Sequence, residues 1–243
     1  MSKRVVDYDV YYVPWSLGDR EAMARYAAEW LAEQQGAPLL LFPDKPSSEG
    51  DRLLNRLTAG AAAATPRNLG SSGWSKGPVL AAWPTDDVFE LLTHGLRSRI
   101  TALCVMEWGD SDEVQRTWLA GHQARSVVDG AVHPSSTVTL DPVVEVAMQY
   151  LEMSVNHGNS LTGPMDRRDA VETLRALHKA GYRYNVEELC IWALGNGFNF
   201  REVERLKEIA IGVQQGKRFR LQAGGFQPNI VKIWQAEAEE KKK

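Results

Sequence analysis

The sequence predicts an α/β domain followed by an all-α domain, and three observations carry this prediction. Short apolar runs alternate with helical patterns through the first half of the chain. These runs are continuously apolar, which is typical of parallel strands covered on both faces. Beyond residue 142 only helical periodicity remains. We therefore expect a Rossmann-like or flavodoxin-like parallel sheet of about four strands with crossover helices, followed by about five helices.

Each predicted strand leads into a predicted helix. The first helix is the clearest, because Ala22, Tyr26 and Trp30 share one face and Gly36 supplies a stop. Strands are predicted at 8–15, 38–42, 78–83 and 100–108, and helices at 19–36, near 49–60, after Thr85 and at 111–124. The stretch 60–77 is rich in small residues and irregular, so we interpret it as a loop or excursion.

The second half begins where Asp141 can cap a helix and Pro142 can occupy its first turn. Apolar residues at helical spacing continue to the charged tail. Helices are predicted from 142 onward, at about 166–180, 186–195 and 200–215, and from Pro228 to the end. The predicted domains are therefore an α/β domain at 1–125, a linker at 126–141 and a helical domain at 142–243.

Composition limits the classes of function. The net charge of −3 argues against binding of nucleic acid or anionic lipid through the overall charge of the chain. Cys104 and Cys190 each lie in an apolar segment, which predicts buried, reduced thiols. Asp7 and Asp9 interrupt any secretory signal, and no run approaches the roughly 18–20 apolar residues of a membrane span. We therefore expect a soluble cytoplasmic protein with no membrane partner.

Several established motifs are missing from the sequence. There is no GxGxxG after the first strand, and the stretch "GSSGWSKG" at 70–77 lacks the P-loop spacing. HExxH and CxxC are also absent, and no two histidines have metal-ligand spacing on one helical face. The standard nucleotide-binding and zinc-protease interpretations are therefore disfavoured, and no cofactor is predicted.

Carboxylates follow two of the predicted strands. Thr85 precedes Asp86-Asp87, and Ser111 precedes Asp112-Glu113. Thr and Ser are good N-cap residues, and negative charge in a first helical turn is stabilising by about 0.3–1 kcal/mol. We favour helix initiation over metal binding for these acids. A phosphate ligand would meet repulsion there, and would instead belong near residues 16–18, near 47–48, or at the 70–77 loop with Lys76.

In an open parallel sheet, ligands bind beyond the carboxyl ends of the strands. Tryptophan and carboxylate recur at the predicted strand ends, where an indole can stack on a base or a sugar or can simply close the core. We favour the core role for these indoles. The candidate ligand-binding residues, which include the loop lysine, are Trp15, Ser16, Asp44, Lys76, Trp83 and Trp108.

The first alternative is a divalent-cation site. Asp44, Asp86, Asp110 and Asp112 would converge at the carboxyl edge of the sheet and bind Mg²⁺ through oxygen. Such a site would serve phosphoryl transfer or phosphodiester cleavage. Mg²⁺ is the cofactor of this alternative alone.

The second alternative is a DNA-binding regulator. The segment 186–220 has the outline of a helix-turn-helix, since a short glycine turn joins two predicted helices. The basic candidates for a nucleic-acid contact are Arg201, Arg205, Lys217, Arg218 and Arg220. Glutamates on the would-be recognition helix oppose this interpretation, and a plain helical hairpin is favoured.

The leading functional prediction is a non-catalytic module that binds a small molecule or a protein partner. Catalytic residues cannot be assigned from the sequence, and a homo-oligomer is left open. The magnesium enzyme and the DNA-binding regulator remain the alternatives.

Overall fold

The computed structural model describes residues 6–109, 113–136, 139–157 and 160–241. The chain forms two compact units, residues 4–136 and residues 137–243. The predicted linker at 126–141 spans the division between them, and its own limits stay a prediction. The two units are described separately below.

The first unit is built on a parallel sheet, as predicted. Six strands are found in the described part of the chain, in the order β3-β2-β4-β5-β1-β6, and all neighbours are parallel. The strands are β1 (Asp9–Val13), β2 (Leu39–Leu41), β3 (Ala62–Ala64), β4 (Gly77–Ala82), β5 (Ile100–Met106) and β6 (Arg125–Ser126). The expected number of about four was therefore too low, because β3 and β6 are short edge strands that lack a long apolar run.

Helices cover both faces of this sheet. The helices of this unit are α1 (Arg20–Glu33), α2 (Lys45–Gly50), α3 (Arg52–Leu57), α4 (Asp86–Glu90), which continues as a π-helical turn to Gly95, and α5 (Glu113–Gly121). Helix α1 packs against β4 and β5, where its Met23 and Ala27 join Leu80 and Cys104 in one buried cluster. The alternate strand residues, such as Val79 and Leu103, are equally buried on the opposite face.

The direction of each crossover decides which face its helix covers. The chain passes from β1 across β5 and β4 to β2, then one step further to β3. From β3 the chain reverses direction across the sheet. It passes β2 to reach β4 and continues the same way to β5 and then past β1 to β6. Since such crossovers are right-handed, α1 to α3 lie on one face and α4 and α5 on the other. This explains why β4 is buried along its whole length.

Local sequence sets the starts of these elements. Asp19 accepts a hydrogen bond from the Glu21 N–H (3.0 Å) and caps α1. Asp51 caps α3 in the same way through the Leu54 N–H (3.1 Å). Gly77 begins β4 at a φ of +154°, where an added Cβ would lie 2.1 Å from the Ala37 carbonyl oxygen. Glycine is required there because the two backbone segments touch.

The second unit is helical, as predicted. Its helices in the described residues are α6 (Pro142–Ser154), α7 (Pro164–Lys179), α8 (Val186–Gly195), α9 (Phe200–Gln214) and α10 (Ile230–Glu240). Asp141 caps α6 through the Val143 N–H (2.8 Å), with Pro142 in the first turn. Helix α7 packs on α6 and on α9, α8 packs on α9, and α10 packs on α6. Trp234 of α10 is fully buried.

Both cysteines are buried and neither forms a disulfide bond, as predicted. Burial raises the pKa of the Cys104 thiol far above its usual range, so the group is unreactive. No helix in the described ranges combines the length and the apolar content that a bilayer crossing requires.

Candidate ligand-binding site

A cleft of about 620 Å³ opens at the carboxyl edge of the sheet. Its walls come from the loops that follow β2 and β4, with one side chain from the loop after β5. The lining residues are Pro43, Asp44, Ser47, Trp83, Pro84, Thr85, Asp86, Asp87 and Trp108. Aromatic and acidic side chains therefore share one concave surface.

The position of this cleft follows from the strand order. β2 and β4 are neighbours, but the chain leaves β2 towards β3 and leaves β4 towards β5, in opposite directions. The two loops therefore diverge and leave a crevice between them. In open α/β sheets, such a switch point is where ligands usually bind.

Asp44 and Thr85 begin the two helices that flank the cleft. Asp44 accepts the Ser47 N–H (2.8 Å) at the start of α2, and the hydrogen bonds from Ser47 hold the pKa of that carboxyl below its usual value. Thr85 occupies the N-cap position of α4, as predicted, but its side chain makes no capping hydrogen bond. The prediction that the Thr85 hydroxyl caps this helix was therefore wrong. The Val88 N–H, one of the usual targets, instead bonds the Thr85 carbonyl (2.9 Å).

Trp83 is the fixed aromatic wall of the cleft. It is buried, its Nε1–H donates to Asp51 Oδ2 (3.2 Å), and the Arg20 guanidinium lies 4.9 Å from its ring centre. Its φ of +54° places it in the left-handed region, which is rare for a bulky residue. This sharp turn separates the end of β4 from the start of α4.

Trp108 is the open aromatic wall. Its side chain is 56% exposed, although its backbone N–H is held by Gln115 Oε1 (3.0 Å). The rings of Trp83 and Trp108 lie 5.9 Å apart at an angle of 69°. The two indoles thus form a corner with one exposed ring, which is available for stacking. The expected core role suits Trp83 better than Trp108.

The remaining predicted ligand residues lie elsewhere in the first unit. Trp15 and Ser16 belong to a 3-10 turn after β1, and Trp15 packs partly buried against the core. Lys76 directly precedes β4 and therefore lies at the amino edge of the sheet. The structure thus brings Asp44, Trp83 and Trp108 together in the cleft, and does not bring the other three there.

Sequence reasoning missed a polar cluster between the ends of β1 and β5. Glu107 accepts the Trp15 N–H (2.7 Å) through Oε2, and its Oε1 lies 3.4 Å from His133 Nε2. The ring of His133 packs edge-on against Tyr12, 5.1 Å away. Burial, with a contribution from Glu107, raises the pKa of Tyr12. His133 lies 26 positions after Glu107, so the sequence does not indicate that they are in contact. The only sequence signal for this cluster is that Glu107 directly follows the apolar run of β5.

The structure describes only two of the four aspartates of the predicted magnesium site. Asp44 and Asp86 both line the cleft, but Asp110 and Asp112 lie outside the described residues, as does the predicted cap Ser111. Within the ranges that the structure describes, no three His, Cys, Asp or Glu side chains are grouped so that they could hold a metal ion. The magnesium alternative stays a prediction.

The predicted nucleic-acid segment has a mixed charge. Helices α8 and α9 form the expected hairpin, and Arg201 is exposed on α9. Glu204 and Glu208 are exposed on the same helix, and Arg205 pairs with Glu208. The other three basic residues, Lys217, Arg218 and Arg220, are exposed in the irregular segment after α9. This arrangement offers no strongly positive helix face for DNA.

A second titratable cluster lies in the helical unit. Glu202, which is fully buried, receives the Asn199 N–H (2.8 Å) and lies 3.0 Å from His157 Nδ1. Asn199 in turn accepts the Glu202 N–H (2.9 Å), which completes a capping box at the start of α9. The hydrogen bond to Glu202 raises the pKa of His157, and the charge of Glu152, 3.7 Å from Nε2, adds to this.

Comparison with known proteins matches one part of the chain. Residues 140–235 are similar to a family described as a domain of unknown function (DUF1889). This match covers α6 to α9 and the first half of α10, whereas the cleft lies outside it. No curated protein and no solved structure matches the chain.

Proposed function

We propose that the protein is a binding module whose small-molecule ligand occupies the cleft at the carboxyl edge of the sheet. The observation that carries this proposal is the exposed indole of Trp108 in the wall of a cleft of about 620 Å³. Small-molecule sites commonly measure about 300–1,000 Å³ and combine apolar walls with a few polar groups.

The arrangement of the cleft favours binding over catalysis. Asp44 already caps a helix, and the indole of Trp83 is held by Asp51 and Arg20. These contacts fix the walls before a ligand arrives, and preorganisation of this kind strengthens binding. The described lining includes no histidine, cysteine or lysine, the residue types that most often activate a substrate or a hydroxyl nucleophile.

The proposal is tested by NMR on the full chain with ¹⁵N-labelled tryptophan. A panel of small cationic, neutral and anionic compounds is titrated while the eight indole N–H signals are followed. We expect the Trp108 signal, assigned with Trp108→Phe, to shift with at least one compound. Trp192 of the helical unit serves as the internal control and should not move. A panel that leaves the Trp108 signal unchanged contradicts the proposal.

A further inference from the structure

Carboxylates outnumber basic groups at the described part of the cleft, where the Arg20 guanidinium lies over the ring of Trp83. Asp44, Asp86 and Asp87 all contribute to its lining. The described lining includes no Lys, Arg or His side chain. An anionic ligand would therefore meet like charge at short range, whereas a cationic ligand would meet opposite charge on two sides.

The aromatic corner favours the same class of ligand. A cation is attracted to the face of an indole when it lies within about 6 Å of the ring centre. Trp83 already makes this contact with the Arg20 guanidinium at 4.9 Å. The neighbouring indole of Trp108 lies at 69° to it, and more than half of its surface is exposed. Trp108 is therefore the indole of this corner whose surface is open to a further cation.

We infer that the cleft binds an organic cation, an alkylated or quaternary ammonium group that rests on Trp108 and faces the carboxylates of Asp44, Asp86 and Asp87. This inference rests on the proposed function and specifies its ligand class. The alkyl groups of such a cation contact the indole, and the positive charge is neutralised by the acidic rim. Neither an inorganic phosphate nor a carboxylate meets both demands.

The test compares two probes of equal shape and different charge. Choline and 3,3-dimethylbutan-1-ol differ only by the exchange of a quaternary nitrogen for a carbon. Both are titrated into the full-length protein, and the Trp108 indole signal and the heat of binding are measured. The combined contribution of the indole face and the carboxylates predicts that choline binds at least about tenfold more tightly.

Variants identify the groups responsible. Trp108→Ala removes the open wall, and Asp44→Asn removes one charge while an asparagine still caps α2. Each is expected to weaken choline binding by about threefold to tenfold. Glu29→Gln, on the exposed surface of α1, removes the same charge away from the cleft and should leave binding unchanged.

The outcomes separate this inference from the proposed function. Selective binding of choline that depends on Trp108 and Asp44 supports both. Equal binding of the two probes, or Trp108-dependent binding of only neutral or anionic compounds, overturns the cation inference and leaves the binding module standing. If choline does not perturb Trp108 at about 10 mM, well above an ordinary weak dissociation constant, the cation inference is also overturned.

Discussion

The ion pair between His157 and Glu202 provides the sharpest test of how the helical unit is held together. The change is His157→Gln, which removes the cationic partner and leaves a neutral side chain of similar reach. The Glu202 carboxylate remains fully buried at the start of α9, where it still accepts the Asn199 N–H. A buried carboxylate that loses a charged partner destabilises the folded state.

The expected size of the loss follows from the geometry. A charged hydrogen bond contributes about 1.5–3 kcal/mol when it is desolvated. The His157 side chain is 35% exposed, so solvent screening lowers that value. We expect His157→Gln to reduce the free energy of unfolding by about 1–2 kcal/mol at mildly acidic pH.

The loss should depend on pH with a definite sign. The pKa of His157 in the folded state is raised above its ordinary value of 6.5. The stabilisation from this residue is therefore complete below that ordinary value and disappears as the pH rises through the raised folded pKa. The cost of His157→Gln should accordingly be largest at about pH 6 and small at about pH 9.

Urea unfolding, followed by circular dichroism at both pH values, measures this cost. A histidine NMR titration should also show the pKa of His157 falling in Glu202→Gln, a variant that retains the capping box because glutamine serves at that position. The control is His94→Gln, which changes an exposed histidine of the other unit. An equal cost of His157→Gln at the two pH values would refute the reasoning.

Two further predictions concern the α/β unit. Gly77→Ala should cost about 3 kcal/mol or more, because its new Cβ would lie 2.1 Å from the Ala37 carbonyl oxygen; Gly50→Ala, with open space around it, should stay within about 0.5 kcal/mol. Trp118→Ala should cost about 3–5 kcal/mol, since this side chain is fully buried. Trp108→Ala should cost under about 1 kcal/mol because its indole is exposed. Urea unfolding of each variant checks these values, and a similar loss for both tryptophans would contradict the assignment of Trp108 to a binding surface.

Much of the fold was predictable because apolar runs and helix caps are local signals. The run at 78–83 identified β4, and Asp141-Pro142 placed the start of α6. The three alanines of β3 carry no such signal, since alanine is a poor strand former and they lie within the stretch 60–77 that was interpreted as a loop. β6 has two residues and is polar, so only its pairing with β1 defines it.

The candidate site was predictable only as far as strand ends are visible in sequence. Asp44, Trp83 and Trp108 follow apolar runs, so the rule for open sheets identified them. Lys76 was included because a glycine-rich loop often binds phosphate, but it precedes its strand and so lies at the other edge. The pairs Glu107–His133 and His157–Glu202 join residues far apart in the chain, and no periodic pattern reports such contacts.

The short strands at the two edges of the sheet have a consequence for self-association. β3 and β6 have three and two residues, and an edge of that length offers few unpaired backbone groups to an incoming strand. A strand from a second chain could therefore form few backbone hydrogen bonds with either edge. While the unit stays folded, its long apolar strands lie at the centre of the sheet and are not exposed to this kind of association.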